Sequence, residues 1–221
     1  MTLGDLIGFV MIVSLVLYAL GAGADFGGGV WDLFASGPRA RQQRQLIAHA
    51  IGPIWEANHV WLILVIVLLF VAFPPAFAAI SIALHIPLAV MLVGIVLRGS
   101  AFVFRSYDVQ TDDVQRRWSG LFAVGSMVAP IMLGVCVGAI ASGNIRINAD
   151  TGAVRTNFIS QWLGAFPIAI GFWTLALFAF LAAVYLTNET EEAELREDFR
   201  RRALAAGFAV ALLALVIFVL A

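Results

Sequence analysis

The sequence predicts an all-α integral membrane protein, a polytopic bundle of about six transmembrane helices with its N-terminus outside. Three observations predict it. The 221 residues are 62% hydrophobic and only 12% charged, with a mean hydropathy of +0.97, well above the apolar share of a soluble domain. Six runs reach or approach the roughly 20 apolar residues a span requires: Leu6 to Val30, Ile54 to Phe73, Phe77 to Leu97, Leu121 to Ala141, Trp162 to Leu186 and Leu204 to Leu220. None alternates as barrel strands do, so backbone amides at hydrocarbon depth must be paired within helices, and residues 1–221 read as a single transmembrane domain.

The first segment carries Ala22-Gly23-Ala24 after an apolar run, which has the look of a signal cleavage site. No positive charge precedes the run and it is longer than a signal core, so it is expected to stay as the first helix. Pro74-Pro75 ends the second segment and predicts a tight outer turn, with helices two and three as antiparallel neighbours. Between the fourth and fifth segments, Ile145-Arg146-Ile147 and Ala153-Val154-Arg155-Thr156 flank Asp150-Thr151-Gly152, the pattern of a short hairpin. Before the last segment, Glu192 precedes Arg196 by four residues and Glu197 precedes Arg201 by four, predicting a solvated helical extension. Glycines spaced by four (Gly4 and Gly8, Gly23 and Gly27, Gly134 and Gly138) predict close helix packing rather than chemistry.

All basic residues are arginine, and their placement sets the orientation. Arg39, Arg41, Arg44, Arg98, Arg105, Arg116, Arg117, Arg196, Arg200, Arg201 and Arg202 fall on one side, against Arg146 and Arg155 on the other. By the positive-inside rule the arginine-rich side is cytoplasmic. A net charge of −1 and these scattered loop arginines exclude a nucleic-acid partner. The single Cys136, in an apolar run, excludes a disulfide framework and a cysteine metal site and reads as a small buried residue.

The functional candidates are the polar residues inside these spans, because a charge in the bilayer costs from about 2.5 kcal/mol upward and normally faces a bundle interior or a wet path. Gly52 to Ile63, GPIWEANHVWLI, places Glu56 and His59 on one helix face with Trp55 and Asn58 on the adjoining one. Asp25 stands before Gly27-Gly28-Gly29, whose helical cost of about 1 kcal/mol each implies close backbone approach. Asp25, Glu56 and Arg98 come from consecutive helices at similar depth on the cytoplasmic side. They suit a cytoplasmic proton path, with Asp25 and Glu56 as carriers and His59, Asn58 or water as relay. The alternative is a buried ion pair of Asp25 or Glu56 with Arg98 that fixes helix register. Trp55 and Trp61 read as packing and interface aromatics, and Asp32, at the membrane boundary, as solvated. His49, His59 and His85 are placed too far apart to form an axial haem pair, so any haem is expected in a partner subunit.

Read in order, GADFGGG (Gly23 to Gly29), GPIWEANHVWLI, LRGSAFVFR (Leu97 to Arg105), RRWSGLFAVGSMVAPIMLGVCVGAI (Arg116 to Ile140) and AAVYLTNET (Ala182 to Thr190) resemble subunit II of cytochrome bd quinol oxidases over almost the whole chain. The resemblance implies a multi-pass subunit of a respiratory complex in the bacterial cytoplasmic membrane. Its subunit I would carry haems b and d, oxidise quinol and reduce oxygen, while subunit II, which ligates no haem, packs on it and shapes proton or oxygen access. A bound quinone and small accessory transmembrane subunits are further implied partners. Asp25, Trp55, Glu56, Asn58, Trp61 and Arg98 match the family's polar and aromatic positions, with Arg98 as an ion-pair, haem-propionate or register residue. Three departures stand out. Gly21 to Ala24 lack the family's frequent second acid before the glycine-rich turn, and Val103 stands where a carboxylate often follows the helix-three arginine. The family also usually has two four-helix halves, so this chain looks short at its C-terminus. A purely structural assembly subunit is the rival expectation, and a stand-alone transporter a weaker one, because ionisable groups cluster at one side rather than in broken helices at mid-membrane.

Overall fold

The computed structural model describes residues 2–51, 55–107, 112–148, 153–155 and 157–221. The elements are α1 (Leu3–Leu33), α2 (Ala40–Ile51), α3 (Trp55–Ala72), α4 (Pro74–Ala83), α5 (His85–Tyr107), α6 (Asp112–Ala141), β1 (Arg146–Ile147), β2 (Val154–Arg155), α7 (Ala165–Asn188) and α8 (Ala193–Leu220). Among the described residues five helices are long and apolar enough to cross a membrane, and the bent pair α3–α4 passes the same test when its two helices are taken together. The chain is an all-α polytopic membrane protein.

Two departures from the expected helix map have clear causes. The arginine-bearing stretch after α1 forms α2, a 12-residue amphipathic helix that buries Gln43, Ile47, Ala50 and Ile51 at spacings of four, seven and eight. Its Ile47 and Ile51 lie against Gly28 of α1. The expected span over 77–97 is in two pieces. Pro74 and Pro75 do stop α3, but their fixed φ and missing N–H suit a first helical turn, so they open α4 at 117° to α3. Pro87 in the first turn of α5 likewise makes a new start at His85 tolerable. Helices α3 and α5 are therefore not the tight antiparallel pair expected: α3 packs on α1, and α5 runs along α6.

Helix α7 sits at the centre, against α1, α6 and α8. Lipid supplies no hydrophobic drive between helices, so small residues that bring backbones together hold them instead. A methyl at Gly134 would fall 2.7 Å from the Ile170 carbonyl oxygen, and one at Gly138 2.7 Å from Cα of Pro167, both on α7. Gly27 is packed against the Phe178 carbonyl of the same helix, whereas nothing approaches Gly8, so only two of the three glycine pairs mark contacts within the chain.

The two ends differ. At the end away from the arginine loops β1 and β2 pair antiparallel, Arg146 with Arg155 and Ile147 with Val154, while residues 149–152 and Thr156 of the expected hairpin lie outside the described part. Ile145 and Val154 cover Ala83, Leu84, Cys136 and Ala139, sealing the α4–α5 break. At the other end the arginine loops converge. Arg39 binds Asp198 (2.8 Å) and Glu194 (2.7 Å), tying the α1–α2 turn to the start of α8. The hydrogen bond from Arg39 to Asp198 holds its guanidinium above the ordinary arginine value. Helix α8 begins at Ala193, so the expected helical extension and the span from Leu204 to Leu220 form one continuous helix. Its Glu197 pairs with Arg201 as expected, but Arg196 donates to the Thr190 carbonyl (3.0 Å) and Glu192 serves as the cap residue.

Candidate functional site

The site forms where α1, α3, α5 and α6 meet at the glycine-rich turns. Asp25 is 0% and Arg98 2% exposed, and they form an ion pair through Asp25 Oδ1. The same guanidinium donates to the Asp25 carbonyl (3.1 Å) and, through Nε, to Ser126 Oγ on α6 (3.0 Å). Its faces are covered by Phe26 and Phe122, with ring centroids 4.8 and 4.9 Å from Cζ. A buried guanidinium is tolerated because a carboxylate, a carbonyl, a hydroxyl and two π faces replace its water. Gly29 makes the assembly possible, since any side chain there would overlap Ser126. Pro130, four residues past Ser126, removes the helical hydrogen bond the Ser126 carbonyl would otherwise accept.

Helix α3 supplies the other wall. Asn58 is 3% exposed and its side-chain oxygen lies directly over Gly21, one turn from Asp25 on the same face of α1. His59 stacks edge-on to Tyr18 (6.4 Å) and tilted to Phe26 (6.2 Å). Among the described residues Asp25 Oδ2 and both polar atoms of the Asn58 amide have no hydrogen-bond partner. Trp55 and Glu56 occupy the first turn of α3, but their side chains lie outside the described residues. Trp61 is 38% exposed on the surface of the same helix.

The sequence reading missed three features. Ser126 is a lone hydroxyl in an apolar run, and only its position four residues after Phe122 marks it as facing the same way. Gly21 is where Asn58 rests, which spacing alone does not disclose. Asp32 is not solvated: it is 2% exposed and paired with Arg105 at 3.1 Å. The signal for it was present, because Asp25 and Asp32 repeat at the same spacing as Arg98 and Arg105.

The three histidines do not meet as haem ligands. His49 is exposed on α2, His59 faces Tyr18 and Phe26, and His85 lies against Phe158 with Nδ1 3.0 Å from the Ile82 carbonyl. Among the described residues no three His, Cys, Asp or Glu side chains cluster as a metal site.

A sequence model of the family described as cytochrome bd terminal oxidase subunit II matches residues 3–221. The chain belongs to that family. Cytochrome bd ubiquinol oxidase subunit 2 of Bacillus subtilis is 29% identical over 181 residues, 81% of this chain and 51% of the relative. Cytochrome bd-I ubiquinol oxidase subunit 2 of Escherichia coli is 29% identical over 211 residues, 95% of this chain and 53% of the relative. This member of the subunit II family thus spans about half the length of the curated relatives it matches. The solved bd oxidase from Geobacillus thermodenitrificans superposes with a TM-score of 0.78 at 22% identity, over 98% of this chain and 66% of the solved one, a likeness of fold.

Proposed function

We propose that this chain works as subunit II of a bd-type quinol:oxygen oxidoreductase in the bacterial cytoplasmic membrane. It packs on a haem-bearing subunit I, and it contributes a proton path from the arginine-rich, cytoplasmic end. Haems b and d in that partner would supply the electron transfer and oxygen reduction, with quinol as donor. The observation that carries the path is a carboxylate oxygen of Asp25 and the Asn58 amide, buried in the bundle and without protein hydrogen-bond partners among the described residues. Such groups are costly at this depth unless water or a proton engages them. Asp25 and Glu56 would hold the proton, and Asn58 and His59 would orient what passes between them. Trp55 and Trp61 would pack at the subunit surface.

A second reading has its own support. Arg98 spends its donors on Asp25 and Ser126, on two other helices, which is what a register lock requires. On that reading the charges matter for assembly alone. Membership of the oxidase is tested by tagging this chain and purifying it from native membranes in mild detergent. Co-purification of a larger subunit, with b- and d-type haem bands and quinol oxidase activity, is expected. A colourless chain purified alone from membranes that contain the oxidase would overturn the assignment.

A further inference from the structure

Asp25 and Asp32 lie seven residues apart on α1, and Arg98 and Arg105 lie seven apart on α5. Seven residues are almost two helical turns, about 10.5 Å, so each pair projects from one face of its helix. Arg98 takes one oxygen of Asp25 and Arg105 Nη1 reaches Asp32 Oδ2 at 3.1 Å, so two rungs cross from α1 to α5. Both carboxylates are buried, and in both the second oxygen, Oδ2 of Asp25 and Oδ1 of Asp32, has no hydrogen-bond partner among the described residues. The Asp32–Arg105 rung stands at the arginine-rich end, where Arg44 of α2 donates to the backbone carbonyls of Asp32 (3.4 Å) and Ala35 (3.3 Å). Between the rungs Gly28 of α1 is covered by Ile51 of α2, and Ser126, bonded to Arg98, fills the space over Gly29.

We infer that Asp32 is a second proton-carrying carboxylate of the path, the one that receives protons from the cytoplasmic side and passes them inward to Asp25. The inference rests on the proton path proposed above. The free oxygen of ionised Asp32 binds the incoming proton. That O–H bond then breaks as the proton moves, through intervening water and the Ser126 hydroxyl, to the free oxygen of Asp25. Asp32 returns to the carboxylate, and both guanidinium groups keep their protons throughout. A direct hop is excluded by the separation of the rungs, so the hydroxyl between them has a defined part. A register lock would explain two ion pairs, but it gives no use to two buried oxygens left over on the same helix face.

The test compares Asp32→Asn, Asp25→Asn and the charge exchange Asp32→Arg with Arg105→Asp in the purified complex, reading haem content, quinol oxidase turnover and rescue by acetate. Expected is an Asp32→Asn complex with full haem whose turnover falls by up to about a hundredfold, the lower range for a positioned acid–base group, and recovers with acetate. The exchanged pair should regain haem content but not turnover. Wild-type turnover of Asp32→Asn beside a slow Asp25→Asn would remove Asp32 from the path and leave the path standing. Wild-type turnover of both would overturn the path itself. Should Asp32→Asn fail to assemble, the charge exchange decides: turnover restored along with haem content makes the Asp32–Arg105 rung structural and overturns the inference.

Discussion

The two halves of α1 share one helix and almost nothing else. From Leu3 to Leu20 the side chains are large and apolar and mostly face outward, with Leu3 73%, Phe9 60% and Ile12 62% exposed. From Ala22 to Asp32 small and charged residues predominate around Phe26, Val30 and Trp31, and nearly all are buried, including Asp25, Gly27, Gly28, Gly29 and Asp32. In a soluble protein the burial would run the other way. Here the bilayer satisfies the apolar half, while the polar half is stable only where α2, α5, α6 and α7 bring hydrogen bonds and close backbones to it. Hydropathy locates the helix, and the interruptions in hydropathy locate its partners.

That contrast is open to attack by substitution. The largest effect is expected at the buried pair: Arg98→Leu leaves Asp25 as a buried unpaired charge, at a cost of about 3–5 kcal/mol. Complex yield and haem retention should fall steeply, and Arg98→Lys, which keeps the charge but loses the fork, should restore part of the yield. Next comes Gly27→Leu against Gly8→Leu. The first drives a side chain into the Phe178 carbonyl and is expected to cost at least about 1–3 kcal/mol, read as a lower thermal midpoint. The second points into open space and should leave the midpoint unchanged. Equal effects of the two glycines would break the comparison.

Smaller changes sharpen it. Ser126→Ala removes one acceptor from a charged donor and should lower stability by about 1.5–3 kcal/mol, measured by the same midpoint. Phe9→Leu, on the lipid-facing half, should fall within about 0.5 kcal/mol of the parent chain.

What the sequence disclosed follows the same division. Apolar runs reveal spans, so α1, α3, α6, α7 and α8 lie near where hydropathy puts them, and the arginine asymmetry names the end at which Arg39, Arg44, Arg105 and Arg202 gather. Hydropathy carries no direction. The run through Pro87 therefore looked continuous although the chain restarts at His85, and α2 looked like a loop because a helix of 12 residues rich in arginine and glutamine is too short and polar to span. The site was legible as a set of charges but not as contacts. Asp25 and Arg98 announced themselves by cost, whereas Ser126 and Gly21 act through what lies opposite them on another helix. Asp32 was misjudged because closeness to a helix end was taken for closeness to water, when α2 and Arg105 cover that end.

The proton role of the polar half is tested most directly by Asp25→Asn combined with Glu56→Gln, with turnover and membrane-potential generation measured on complex of known haem content. The account predicts a complex that assembles with its haems and has lost most of its turnover and potential. Full haem content with wild-type turnover and potential would contradict it, leaving Asp25 and Arg98 as a clasp between helices.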